Sequence, residues 1–295
     1  MRNPLFVLAA LAVLFTAAPA MALTLSETPR AKVTESYGKG KNVFSLATGS
    51  PGELGLLREL GEAFAKKADA RMDWVKAGSG ESLEYLKTRQ VDMIMVHAPA
   101  AEKKAVAEGW ASGRVLIGSN EFFIVGPAAG PMADPAGIAK AKSAAEAYQK
   151  IAAAQAKFFS RGDDSGTHKK EISIWKMANV IPAGDWYIVT KAFMTATLKR
   201  ANDEGGYFMT DSSTWAAEKK SLPRLKIFFK GDKYLVNTYH ALAAPAGATP
   251  GAATAQKFIE FVAGEEGQRI IREYGKKAIG EALYDDAKYA RQYDD

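Results

Sequence analysis

The chain has 295 residues, no cysteine, 47% hydrophobic and 24% charged residues, and a formal net charge of +6. These values exclude a disordered chain, a disulfide-stapled scaffold and a lipid-modified N-terminal cysteine. The lysines are dispersed along predicted helices instead of gathered in one patch, which argues against a nucleic-acid partner. The modest basic excess suits a small anionic ligand.

The first residues, MRNPLFVLAALAVLFTAAPAMA, carry one cation (Arg2), an apolar run from Leu5 to Phe15 and the small-x-small triplet Ala20-Met21-Ala22. That is the pattern of a secretory signal peptide over 1–22, too short for a membrane span. Its removal leaves 273 residues with a net charge of +5, and the expected location is the periplasm.

A polar leader to about residue 40 precedes a predicted strand over 42–48 and a helix over 54–68, with Leu56, Leu57, Leu60 and Phe64 on one face. Next come a strand over 72–77, a short helix over 82–89, an apolar strand over 91–96, a helix over 100–110 and a strand over 122–126. The stretch GPAAGPMADPAG, 126–137, reads as surface loop. The rhythm then restarts with a helix over 143–155, a strand over 157–160, helices over 167–180 and 192–203, a strand over 207–210 and further strands within 225–243. A strong helix over 254–274 closes the chain, with Phe258, Phe261, Val262, Ile270 and Ile271 on its apolar side.

This β-α alternation predicts an α/β fold of two doubly wound lobes, with ligand chemistry at the carboxyl ends of parallel strands. The final helix needs a partner surface, so the first lobe is expected to be discontinuous. The expected division is 23–124 for the first segment of lobe 1, 125–238 for lobe 2 and 239–295 for the return to lobe 1. Two crossings, FFIVGP at 122–127 and YHALAAP at 239–245, would form a two-strand hinge beside a cleft that closes on a small ligand.

Three polar corners share one design, a strand end followed by a helix start. They are Ala47-Thr48-Gly49-Ser50-Pro51, Gly78-Ser79-Gly80-Glu81-Ser82, and SRGDDSGTH over 160–168. Ser50 is the expected helix N-cap at the first, with Pro51 at the first helical position, and Ser165 or Thr167 at the third. Unpaired backbone N–H groups and the positive end of the helix dipole make each corner a candidate anion contact that needs no metal. Arg161 sets the sign of the ligand, because its guanidinium is a permanently charged fork that matches two oxygens of an oxyanion. Pairing with Asp163 or Asp164 is its competing structural role.

Other motifs carry little. Ser173-Ile174-Trp175-Lys176 has S-x-x-K spacing without its partner motifs, and Ser165 sits one place too late for a nucleophile elbow. Gly78-Ser79-Gly80 lacks the third glycine of a dinucleotide fingerprint. His97, His168 and His240 are far apart, without metal-ligand spacing, and are read as structural.

The chain resembles the tungstate-binding protein family, the periplasmic components of tungstate ABC importers and relatives of phosphate-binding proteins. The resemblance rests on SRGDDSGTHKKE (160–171), VHAP (96–99), FFIVGP (122–127), TATLKRA (195–201), YFMTD (207–211) and KFIEFVAGEEGQRII (257–271), and covers about 42–285. It implies a type II periplasmic binding protein fold holding a tetrahedral oxyanion, tungstate or molybdate, between two lobes. By position it implies Arg161, Ser165, Gly166 and Thr167 as contacts from one lobe and Thr48, Ser50 and Ser79 from the other. The family's first corner usually reads Thr-Thr-Thr-Ser, so Ala47 and Gly49 here lack two hydroxyls. The implied partners are the anion and an inner-membrane ABC permease, with no cofactor, no resident metal, no catalytic residue and a monomeric state. The alternatives are a carrier for phosphate or a small organic anion, a sensory component, and, from another class, a serine hydrolase using Ser165 with His168. Asp163 bears on the choice of anion: turned inward it would accept a proton from phosphate, and turned back onto Arg161 or a backbone N–H it would favour fully deprotonated dianions.

Overall fold

The order in which strands pair explains how the chain builds two halves and joins them. In the computed structural model, which describes residues 29–128 and 133–294, eleven strands form one hydrogen-bonded sheet. They are β1 (Glu35–Tyr37), β2 (Asn42–Thr48), β3 (Ala70–Lys76), β4 (Met93–Val96), β5 (Ser112–Pro127), β6 (Phe158–Ser160), β7 (Tyr187–Val189), β8 (Tyr207–Asp211), β9 (Leu225–Phe229), β10 (Val236–Ala243) and β11 (Asp285–Asp286). The order is β1-β3-β2-β4-β10-β5-β8-β6-β7, with β9 and β11 also pairing to β5. The predicted signal peptide, 1–22, lies outside the described residues, as does the middle of the 126–137 loop.

The pairs β2–β3, β2–β4, β6–β7 and β6–β8 are parallel, as the alternation predicts. The strands that link the halves run antiparallel, β4 to β10, β10 to β5 and β5 to β8. The sheet is therefore mixed, because a chain that crosses and returns on neighbouring strands must reverse direction.

β5 is the long element of the molecule. Sixteen residues at about 3.3 Å each make a strand of about 50 Å, against the five residues expected from sequence. Residues 112–121 pair with β10, and from Phe122 onward the same strand pairs with β8 and β9. The change of partner at 121/122 is where one half gives way to the other.

Each half has its own core. In the first, Leu56, Leu57, Leu60 and Phe64 of helix Leu56–Ala68 are buried on one face, and Phe258 of helix Ala252–Ala263 packs on Phe44 and Phe64 with centroids 5.2 and 5.3 Å away. The C-terminal helices thus return to the first sheet. In the second half Tyr148, Phe158 and Trp175 form a fully buried aromatic group, with Tyr148 and Trp175 centroids 4.3 Å apart.

Two predicted helical segments are broken at a glycine. The C-terminal helix is two helices, Ala252–Ala263 and Glu265–Glu273, separated by Gly264 in an extended conformation (φ −77°, ψ 172°). The segment 54–68 begins as a separate turn of helix, Ser50–Glu53, before Gly55 at φ 88° restarts it.

Candidate functional site

All three polar corners stand at the carboxyl ends of strands, after β2, β3 and β6, and each opens a helix: Ser50–Glu53, Ser79–Lys87 and Gly166–Met177. They meet at one pocket whose lining combines Thr48, Ser50 and Ser79 with Arg161 and Ser165. Gly49, Pro51 and Gly78 complete the first side, and Met95, His97, Phe193 and Tyr239 fill the remainder.

At the first corner the N-cap is Gly49, not Ser50, and no side chain caps the helix. Ser50 is already the first helical residue, so the expected assignment is off by one. The Thr48 hydroxyl donates to the Met95 carbonyl at 2.8 Å, which engages its only hydrogen. Ala47 is fully buried among Val75, Ala77 and Ile94. At the second corner the cap is Gly78, again without a side-chain bond. Ser79 is buried, and its Oγ accepts the His97 backbone N–H at 3.3 Å, leaving its own hydrogen for the pocket.

The third corner is a closed network. Arg161 is only 4% exposed; its Nε and Nη2 donate to Asp163 Oδ2 at 3.0 and 2.6 Å. Asp163 Oδ1 accepts the Ser165 N–H at 3.2 Å. The carboxylate therefore turns back onto the arginine and a backbone N–H. Burial raises its pKa, but the Arg161 charge and the bonds from Ser165 outweigh that and hold it below the usual carboxylate range. Gly162 sits at φ 60°, which permits the tight reversal. The far side of the turn is pinned by Thr190 and Lys191, whose N–H groups bond the Ser160 and Arg161 carbonyls at 2.9 Å each.

Ser165 is the N-cap of helix Gly166–Met177, its Oγ accepting the His168 N–H at 3.2 Å. The His168 ring does not reach that hydroxyl; its Nδ1 accepts the Asp164 N–H at 3.1 Å. Gly166 and Thr167 are placed at the same helix start but not on the pocket wall. Gly166 lies under the His97 ring, where a Cβ would collide, and the Thr167 hydroxyl is buried without a partner.

The halves touch closely around this pocket. Gly78 faces Ser165, Gly80 faces Asp164, and Lys76 Nζ lies 4.5 Å from the centroid of Phe193. Arg161 stacks on the same ring at 5.4 Å, so Phe193 accepts a cation from each side. Phe193, Met95, Tyr239 and His97 were not expected in the lining. Only His97 carried a signal, because VHAP places it just after a strand end like the other corners.

Two α/β halves joined by long antiparallel strands, with a donor-lined pocket between them, define a bilobal binding protein of the periplasmic type. Residues 32–266 match the PBP superfamily domain. The tungstate-binding protein TupA of Peptoclostridium acidaminophilum is 32% identical over 92% of this chain and 96% of its own length. Two solved structures are 37% identical: the tungstate ABC transporter from Geobacter sulfurreducens (80% of this chain, 100% of that one, TM-score 0.70) and TupA from Desulfovibrio alaskensis G20 (83% and 98%, TM-score 0.66). The chain belongs to the PBP superfamily and, within it, to the tungstate-binding protein family.

Proposed function

We propose that the protein is the periplasmic substrate-binding component of an ABC importer and captures tungstate, or a similar tetrahedral oxyanion such as molybdate, in the pocket between its lobes. The observation that carries this reading is the placement of Arg161, a buried permanent cation on the pocket wall opposite Ser79. Its fork is held by Asp163, and the hydroxyls of Ser79 and Ser165 are oriented by accepting backbone N–H groups. A donor-rich site with the Asp163 carboxylate turned back onto Arg161 suits a fully deprotonated dianion. In this reading 23–124 and 239–295 form one lobe, 125–238 the other, and the anion stabilises the closed arrangement by bonding to both.

The same geometry disfavours hydrolysis by Ser165 with His168. A nucleophilic serine needs a base within hydrogen-bond reach, and the nearby His168 ring is engaged with Asp164. The permease is the proposed membrane partner, and the protein acts as a monomer. A thermal-shift panel of tungstate, molybdate, sulfate, phosphate and carboxylates tests the reading, since a ligand that binds only the folded form raises Tm. Tungstate or molybdate should give the largest rise; a larger rise with carboxylates, or none with any tetrahedral anion, contradicts it.

A further inference from the structure

His97 belongs to the pocket, and its surroundings fix what it can do there. It follows β4; its ring packs on Tyr239 with centroids 4.8 Å apart and faces Phe122 at 6.2 Å. Gly166 closes the other side. Clamped this way, the imidazole turns Nδ1 to Asn237.

Nδ1 lies 2.8 Å from Asn237 Oδ1, and the polarity of that bond is set at the far end of a buried chain. Asp211 Oδ1 accepts the Thr214 N–H at 2.7 Å and the Ser213 hydroxyl. Facing that acceptor, Asn120 must turn its amide nitrogen toward it: Nδ2 is 3.4 Å from Asp211 Oδ1 and 2.9 Å from Ser213 Oγ. Asn120 Oδ1 is then the acceptor for Asn237 Nδ2 at 2.7 Å. That leaves Asn237 Oδ1 to accept Nδ1–H of His97. In the neutral ring the proton is therefore on Nδ1, and Nε2 carries a lone pair with no hydrogen-bond partner among the described residues.

The ligand-free ring is held neutral. Burial pushes its pKa down to about 4, with the charges of Arg161 and Lys170 acting in the same direction and the Asn237 bond and Asp163 opposing. Tyr239, the other titratable group packed on it, is kept protonated, chiefly by burial. A dianion offers only oxygen acceptors, and an acceptor facing a lone pair in a narrow pocket leaves both unsatisfied. One proton between them removes the conflict.

Resting on the oxyanion reading above, we propose that the site takes up a tetrahedral dianion together with one proton, shared between an anion oxygen and Nε2 of His97. Whether the proton begins on the imidazole or on the anion, the balance is the same: one dianion and one proton enter from solvent. Hydrogen phosphate already carries that proton and requires no uptake. The selectivity of the pocket then depends on pH as well as on anion size.

Calorimetry of tungstate binding in buffers of different ionisation enthalpy tests this, with the wild-type protein and His97→Gln, whose amide can donate near the position of Nε2. The wild type should take up about one proton per tungstate, and its affinity should fall about tenfold for each unit of rising pH between about pH 6 and 8. His97→Gln should bind without proton uptake and with a flat pH profile; proton uptake persisting in the variant overturns the assignment to His97. If the variant does not bind, the wild-type proton count decides. Tight wild-type binding with no proton uptake overturns the inference and leaves the oxyanion reading standing. Failure of every tetrahedral anion to bind overturns both.

Discussion

The two walls of the pocket are built on opposite plans. On the first, the helix starts after β2 and β3 are capped by Gly49 and Gly78 with no side-chain bond; Pro51 has no N–H and those of Gly52 and Glu53 bond the Gly49 carbonyl, so the donors left for a ligand are the Ser50 N–H after β2 and the first-turn N–H groups after β3. On the second, Arg161, Asp163, Ser165 and His168 are tied to one another before any ligand arrives. The open wall supplies donors without charge, and the closed wall supplies charge at a fixed position. Preorganised charge costs little reorganisation when an anion binds, so the closed wall should carry most of the affinity.

Arg161→Gln probes this division where the expected effect is largest. Losing a buried charge-assisted contact should weaken tungstate binding by about 100-fold or more, read by calorimetry; a loss under about threefold would move the charge recognition elsewhere. Asp163→Asn should come next and act on stability. The ligand-free protein should lose about 2 kcal/mol, because Arg161 is left without its counter-charge, and saturating tungstate should restore much of it. The smallest effects separate two hydroxyls of the open wall. Ser79→Ala should weaken binding about tenfold, the low end for a hydrogen bond to a charged acceptor, whereas Thr48→Val should leave affinity nearly unchanged, its hydroxyl being engaged by Met95. Equal losses at both positions would mean that Thr48 turns to the ligand on binding.

Much of the frame was legible in the sequence. The sequence pattern places β2 at 42–48 and the strand spans Asn42–Thr48, since NVFSLAT is a compact apolar run with polar flanks. β5 is longer than its sequence pattern suggests because its first ten residues, SGRVLIGSNE, mix glycine and polar groups in a stretch that pairs with β10. The break at Gly264 was missed because the apolar spacing continues across it.

The site was legible by element but not by atom. The three corners were identifiable from glycine and hydroxyl residues at strand ends, and Arg161 from its charge. The turning back of Asp163, the engagement of Thr48 with a neighbouring strand and the placement of Gly166 under a ring depend on tertiary neighbours. His97 is the clearest case: its proton is fixed by Asn237 and, beyond it, by Asn120 and Asp211, residues brought together only when β10 and β8 lie beside β5.

Tungsten is a strong anomalous scatterer, so one crystal soaked in tungstate can locate the ion. The peak is expected between the Arg161 guanidinium and the Ser79 and Ser165 hydroxyls, within about 4 Å of each. A fully occupied tungsten site away from Arg161, with the pocket holding only water, would contradict the assignment of this cleft as the anion's seat.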